Sequence, residues 1–171
     1  MNYAPFEVCE ALAELVVQLR RLDEAVDRLD KTIAKAAQAN ATARRLMTIP
    51  GVGPITASAI AASVPDISGF SGPREFAAFL GLTPRQNSSG GKLKLGRVSK
   101  MGNRYLRKLL VVGAHAVLFH RKPHADALRT WAGRLIEKKP FKLVAVALAN
   151  KMARIVFATL KAQTSYRGVP A

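Results

Sequence analysis

Acidic side chains are nearly absent from the second half of this 171-residue sequence. From Ala77 onward 19 Lys and Arg face only Asp126 and Glu137, whereas the stretch up to Phe76 carries 8 basic and 9 acidic residues. A surface built only for solubility mixes its signs. The imbalance therefore points to a polyanionic partner (DNA, RNA or an anionic membrane surface) engaged by the second half. Cysteine is reduced to Cys9, which excludes an internal disulfide and fits a reducing compartment. A Cys/His metal set is also lacking. His120 and His124 stand four apart, but Pro123 lies between them, and no Cys or carboxylate joins them and nearby His115. Their plainer reading is a basic helix end. A cleavable leader is not expected, because Glu7 and Glu10 interrupt any early apolar run. Residues 141–160 have the length of a membrane span, but Lys142, Asn150, Lys151 and Arg154 fall inside it. Such residues are costly at a bilayer centre, so the segment reads as a buried or amphipathic helix, and no membrane is expected as partner. Aromatics make up 6% of the chain; of these, Tyr105 and Trp131 could stack on bases but more commonly such residues sit in a core.

Apolar residues, at 49%, are plentiful enough for one packed core and an appendage. Val8, Leu12, Leu15, Leu19, Leu22, Val26, Leu29, Ile33 and Ala36 alternate steps of four and three. That is a heptad seam, favouring a coiled coil over an ordinary amphipathic helix packed on its own domain. Asn40-Ala41-Thr42 loosens the pattern, and a second helix leads to Ile49. The run Ile49-Pro50-Gly51-Val52-Gly53-Pro54 then opens a further helix. Helix, glycine turn, helix resembles a helix-hairpin-helix over 44–63, although a plain helix turn has the same outline. Gly51 and Gly53 permit backbone forms that a side chain forbids. Pro54 suits a first helical position, and the free N–H groups there, with Thr56 in the first turn, could hold a phosphate.

A short helix over 74–80 follows, with Phe70, Phe76, Phe79 and Leu80 as core candidates. Residues 85–102 read as a basic Ser/Gly loop, in which the alternation of Lys92, Leu93, Lys94 and Leu95 allows a short strand or hairpin. Three helices over about 103–121, 124–138 and 142–162 are separated by Pro123 and Pro140. The fold class expected is all-α. It comprises a long N-terminal coiled-coil helix, residues 1–42, and a compact helical domain, residues 43–171, that contains the helix-hairpin-helix and the basic loop.

The Arg85–Arg107 segment concentrates chemistry. It holds Ser88-Ser89, Gly90-Gly91 and the cations Arg85, Lys92, Lys94, Arg97, Lys100, Arg104 and Arg107. Glycines let backbone approach a phosphate while cations neutralise it, and Asn103 lies among them as a further polar contact. A serine in such a nest could merely donate to a phosphate oxygen. It could also act as a nucleophile, if its surroundings stabilise the charge that develops.

The run Pro84-Arg85-Gln86-Asn87-Ser88-Ser89-Gly90-Gly91-Lys92, with Gly96-Arg97-Val98-Ser99-Lys100-Met101-Gly102-Asn103-Arg104-Tyr105-Leu106-Arg107, resembles the C-terminal transposase domain of the IS110 (IS1111-type) family. Residues 46–54, 79–84 and 146–156 agree with that domain in the same order. The resemblance implies that Ser89, directly before the glycines, attacks a DNA phosphodiester to give a transient phosphoserine link, with Ser88 the less favoured neighbour. It implies DNA as partner, a structured guide RNA encoded by the element, and a homodimer or higher oligomer in the cytoplasm of a bacterium, at the nucleoid. It also implies an RNase H-like domain whose four acidic residues hold Mg²⁺. No stretch of this sequence matches that domain: Glu7, Glu10, Glu14, Asp23, Glu24, Asp27 and Asp30 lie on or beside the heptad helix. No metal or other cofactor is therefore expected in this chain, nor complete strand exchange by it alone. The alternative is a non-catalytic fragment that binds nucleic acid and dimerises.

Overall fold

The computed structural model describes residues 6–88, 91–92, 94–120 and 127–168. Its elements run α1 (Phe6–Ala39), α2 (Ala41–Leu46), α3 (Pro54–Ser63), α4 (Pro73–Phe79), β1 (Pro84–Gln86), β2 (Leu95–Val98), α5 (Arg104–Phe119), α6 (Ala127–Ile136) and α7 (Phe141–Ala162). The all-α class holds, and the only strands among the described residues are β1 and β2, paired antiparallel. The stretch read as a basic loop is thus largely a hairpin. The alternation at 92–95 leads into the second limb and shares only Leu95 with β2, and the first limb, Pro84-Arg85-Gln86, carries no such alternation.

α7 is the central helix. By length and hydropathy it could cross a membrane, yet ten of its 22 residues are buried: Val144/Ala145, Leu148/Ala149, Met152/Ala153, Val156/Phe157 and Thr159/Leu160. Pairs recurring every four residues make a stripe wide enough to receive neighbours on two sides, and the alanines let them come close. α5 delivers Leu106, Leu110 and Leu118 to this stripe, α4 delivers Phe76, and α2 delivers Leu46, all with 1% exposure or less. Each such side chain contributes roughly 1.5–3 kcal/mol by leaving water. Phe70, Phe76 and Phe79 form an aromatic knot with centroids 5.2 to 6.3 Å apart. Phe76 and Leu80 are fully buried, as the pattern required, while Phe79 sits at the edge of the core.

Helix ends follow the local chemistry. Asn40 caps α2 by accepting from the Ala43 N–H, and Asn103 caps α5 by accepting from the Leu106 N–H. Before α4, the Ser71 N–H and Oγ both donate to Glu75, which holds that carboxyl below its ordinary pKa.

α1 is about 51 Å long at 1.5 Å per residue. Only its C-terminal turns join the core: Ala37 is buried, and Ile33 and Ala34 are half-buried. The residue that enters the core is Ala37, not the seam residue Ala36, so the seam and the core-facing side of α1 part company there. From Val8 to Leu29 the seam is solvent-exposed in the single chain, Leu19 at 59% and Leu22 at 62%. Such a stripe is far more continuous than scattered surface leucines.

Candidate nucleic-acid interface

Backbone contacts set the hairpin in place before any side chain acts. Its ladder runs from the Asn87 N–H donating to Lys94 O, through the Pro84–Val98 pair, to the Ser99 N–H donating to Thr83 O. The Lys100 N–H then reaches Gly81 O, and the Asn103 N–H reaches Phe79 O. At this root two glycines permit contact that no other residue would allow. Gly81 has φ +65°, and a Cβ there would stand 2.0 Å from Met101 O; Gly102 has φ +96°, and a Cβ there would stand 1.8 Å from Phe79 O. Two side chains fasten the root to the helices. Arg107 Nη1 of α5 donates to Leu80 O at 2.9 Å, and Asn150 Nδ2 of α7 donates to Leu82 O at 3.0 Å.

The basic residues therefore divide into two groups. Arg107 is half-buried and serves the root. Arg85, Lys92, Lys94, Arg97, Lys100 and Arg104 are exposed along the hairpin and the first turn of α5. Arg85 also donates to Ser99 O at 3.4 Å, and Lys100 sits in a left-handed conformation at φ +56°. Among the described residues the one side-chain ion pair is Glu24–Arg28 on α1, so no carboxylate there neutralises the hairpin cations. Asn103 is half-buried with its Oδ1 engaged as the α5 cap. Gly91 has φ +74° and open space around it. Ser89 and Gly90, as well as Leu93, lie outside the described residues. The neighbouring Ser88 is described: its Oγ accepts from the Lys94 N–H at 3.1 Å, closing the last rung of the hairpin.

The α2–α3 turn is built for packing more than its glycines suggested. Gly51, at φ +81°, lies against α5, where a Cβ would come within 2.6 Å of Gly113 O. Thr56 is only 7% exposed. Gly53 alone of the three residues nominated there is exposed, at the start of α3 beside Pro54. The helices flank the turn as expected, but two of its nominated residues face inward.

Sequence reasoning missed a groove beside the hairpin. It has a volume of about 1060 Å³ and runs between β2, α6 and α7. Its floor is apolar, formed mainly by Leu143, Val146 and Ile155. Arg97, Lys142, Lys151 and Arg154 border it without any acidic residue. Trp131 lines one wall, with Lys151 Nζ 4.4 Å from the ring centroid. In the sequence Lys142, Lys151 and Arg154 are only arguments against a membrane span, and Arg97 is a candidate contact of the basic loop. Spacing of four on α7 (Lys142, Val146, Asn150, Arg154) was the signal available.

His115 Nδ1 lies 2.7 Å from Val111 O, His120 is exposed at the end of α5, and His124 lies outside the described residues. Among the described residues no three of His, Cys, Asp and Glu come together as a ligand set. The described residues thus offer no carboxylate cluster of the kind that holds Mg²⁺.

Comparison with known proteins adds a family. Residues 43–130 match the model of the Transposase IS116/IS110/IS902 family. The chain is 45% identical over 163 residues to a probable family 20 transposase of Pseudomonas aeruginosa, covering 95% of this chain and 48% of that protein. It is 44% identical over 153 residues to the transposase for insertion sequence element IS1111A of Coxiella burnetii, covering 90% of this chain and 42% of the relative. A pilin gene-inverting protein of Moraxella bovis is 28% identical over 149 residues, covering 84% and 45% respectively. The chain thus spans about half the length of the curated relatives it matches.

Proposed function

The chain belongs to the IS116/IS110/IS902 transposase family, and from this premise we propose that it is the DNA-binding part of a transposase that supplies Ser89 as nucleophile for strand exchange. The observation that carries the reading is the hairpin. Its root is bolted to α5 and α7 by Arg107 and Asn150, and its exposed limbs carry cations without carboxylate partners among the described residues. The Ser-Gly element joins those limbs in the sequence. Ser89 is the serine that the family resemblance assigns to attack, and the neighbouring Ser88 Oγ accepts from the Lys94 N–H at the end of the hairpin. Mg²⁺, in this reading, is held by an acidic domain outside these residues, and a structured RNA from the element acts as guide, in a bacterial cytoplasm at the nucleoid. Since only Gly53 of the α2–α3 turn is exposed, that turn is assigned at most one phosphate contact through the N–H groups at the start of α3.

Binding to duplex DNA should fall steeply with salt, because each phosphate contact releases counterions. Replacing Arg97, Lys100 and Arg104 together by Ala should flatten the log–log salt slope by up to about 3 and weaken binding at low salt by tenfold or more. Fluorescence anisotropy across a salt series measures both. An unchanged slope would remove the DNA contact from the hairpin.

The exposed seam of α1 is the proposed site of self-association. A coiled-coil dimer or higher oligomer would cover Leu12, Leu15, Leu19 and Leu22 by the same seam on another copy. Replacing Leu19 and Leu22 by Glu should convert the assembly to a monomer in sedimentation equilibrium while helicity of residues 41–162 is retained. An unaltered oligomer would place the interface elsewhere.

A further inference from the structure

We propose that the groove between β2, α6 and α7 binds an unpaired stretch of single-stranded DNA, a contact separate from duplex binding by the hairpin; the inference rests on the DNA-binding reading above. The groove combines two chemistries that duplex DNA does not present together on its surface. Its floor, with Leu143 and Val146, is apolar and suits the face of an exposed base. Its border carries Arg97, Lys142 and Arg154 and no acidic residue, which suits the phosphates between such bases. In a duplex the base faces are stacked away and only phosphates and groove edges remain accessible. Single-strand sites pair a cationic track with aromatic and apolar platforms in this manner. At about 1060 Å³ the space takes a short stretch of strand rather than one small anion. The other occupant such a floor could attract is a helix of a second copy, but α1 mixes basic with acidic residues beside its seam and offers the cationic border no continuous run of negative charge, as a phosphate backbone does.

Position also supports the assignment. Arg97 belongs to β2 and faces the groove, so one residue connects the hairpin to it. A strand parted from its complement near the hairpin would find the groove next to it. Trp131 is the only tryptophan in the sequence and lines the groove wall with Lys151 over its ring, so its emission reports occupancy directly.

The test titrates the full chain with a 12-nucleotide oligothymidylate and, separately, with a duplex of the same length. Trp131 emission and anisotropy of the labelled nucleic acid are followed together. The expected result is quenching of Trp131 by the single strand and much less by the duplex. Lys142→Ala with Arg154→Ala, both exposed positions on α7, should weaken single-strand binding at least tenfold while duplex affinity stays within about twofold. Duplex binding without any change of Trp131 emission by the single strand, or equal quenching by both, would overturn the groove assignment and leave the hairpin reading intact. So would wild-type single-strand affinity in the double variant, or binding confined to oligouridylate. A Trp131 shift that follows protein concentration alone would make the occupant a second copy. Failure of both nucleic acids to bind would overturn the DNA-binding reading and the groove with it.

Discussion

Ser89→Ala should abolish a covalent protein–DNA adduct while leaving DNA affinity within about twofold. The adduct is sought on a denaturing gel with family-type target DNA and Mg²⁺, an acidic-domain partner and element-encoded RNA being added or withheld. In the proposed step the Ser89 Oγ–P bond forms as one P–O ester bond of the DNA backbone breaks. The hydroxyl proton passes to the departing sugar oxygen. One phosphodiester replaces another, so the link conserves bond energy and can be reversed onto a new strand. Alanine removes the only atom that forms the new bond, and the expected effect is total loss rather than a graded one. Affinity is expected to persist because phosphate binding belongs to the cations of the limbs.

Ser88→Ala is the informative companion. The Ser88 hydroxyl accepts from the Lys94 N–H at 3.1 Å, a bond worth about 1 kcal/mol. Its loss should loosen the end of the hairpin and reduce adduct yield by several-fold, not eliminate it. The reverse result, with Ser88 essential and Ser89 dispensable, would exchange their roles. Absence of any adduct under every condition, with salt-sensitive binding intact, would leave the chain as a binding and assembly module. Dependence on the acidic-domain partner would show what that domain supplies to the reaction.

Periodicity and punctuation made much of the fold legible. Steps of three and four marked α1, while Pro54, Asn103 and Pro140 placed helix starts to within a residue or two. The basic half was visible from charge alone. What could not be read was why the family motifs lie so far apart in the sequence. In the structure those at 79–84, 96–107 and 146–156 meet at the hairpin root, while that at 46–54 rests on α5. Residues 79–84 and 99–103 interlock through Gly81 and Gly102, Arg107 ties them to α5, and Asn150 ties them to α7. Spacing within a motif says nothing about partners 27 or 68 residues away, so Arg107 was counted with the DNA contacts although it serves the hairpin root. The groove escaped for the same reason: Trp131, Arg97 and Arg154 come from three elements that only packing brings together. Gly51 illustrates the opposite error. A glycine turn suited a phosphate, but the need for its missing side chain comes from α5.

That need makes a second strong effect predictable, with a built-in comparison of sign. Gly113 lies inside α5 and Gly133 inside α6, so helix propensity alone would have alanine stabilise both by about 0.5–1 kcal/mol. At Gly133 nothing stands within 4 Å of the added methyl, and that gain should appear. At Gly113 the methyl would come within 2.0 Å of Gly51 O and 3.0 Å of Gly51 C. Both are backbone atoms, and Gly51 cannot easily yield because its own φ of +81° is set by the same close approach. Relief requires α5 to move from the 49–53 turn, which opens the contact beside Met152 at the centre of α7. Overpacking of this kind costs about 1–3 kcal/mol and occasionally more; with backbone as the obstacle, Gly113→Ala should destabilise by about 3 kcal/mol. Urea unfolding at unchanged slope would register the two variants as midpoints shifted in opposite directions. Equal midpoints would mean that the α2–α3 turn does not rest on α5. The packing account of Gly51 would then fail, and the turn would return to consideration as a phosphate site.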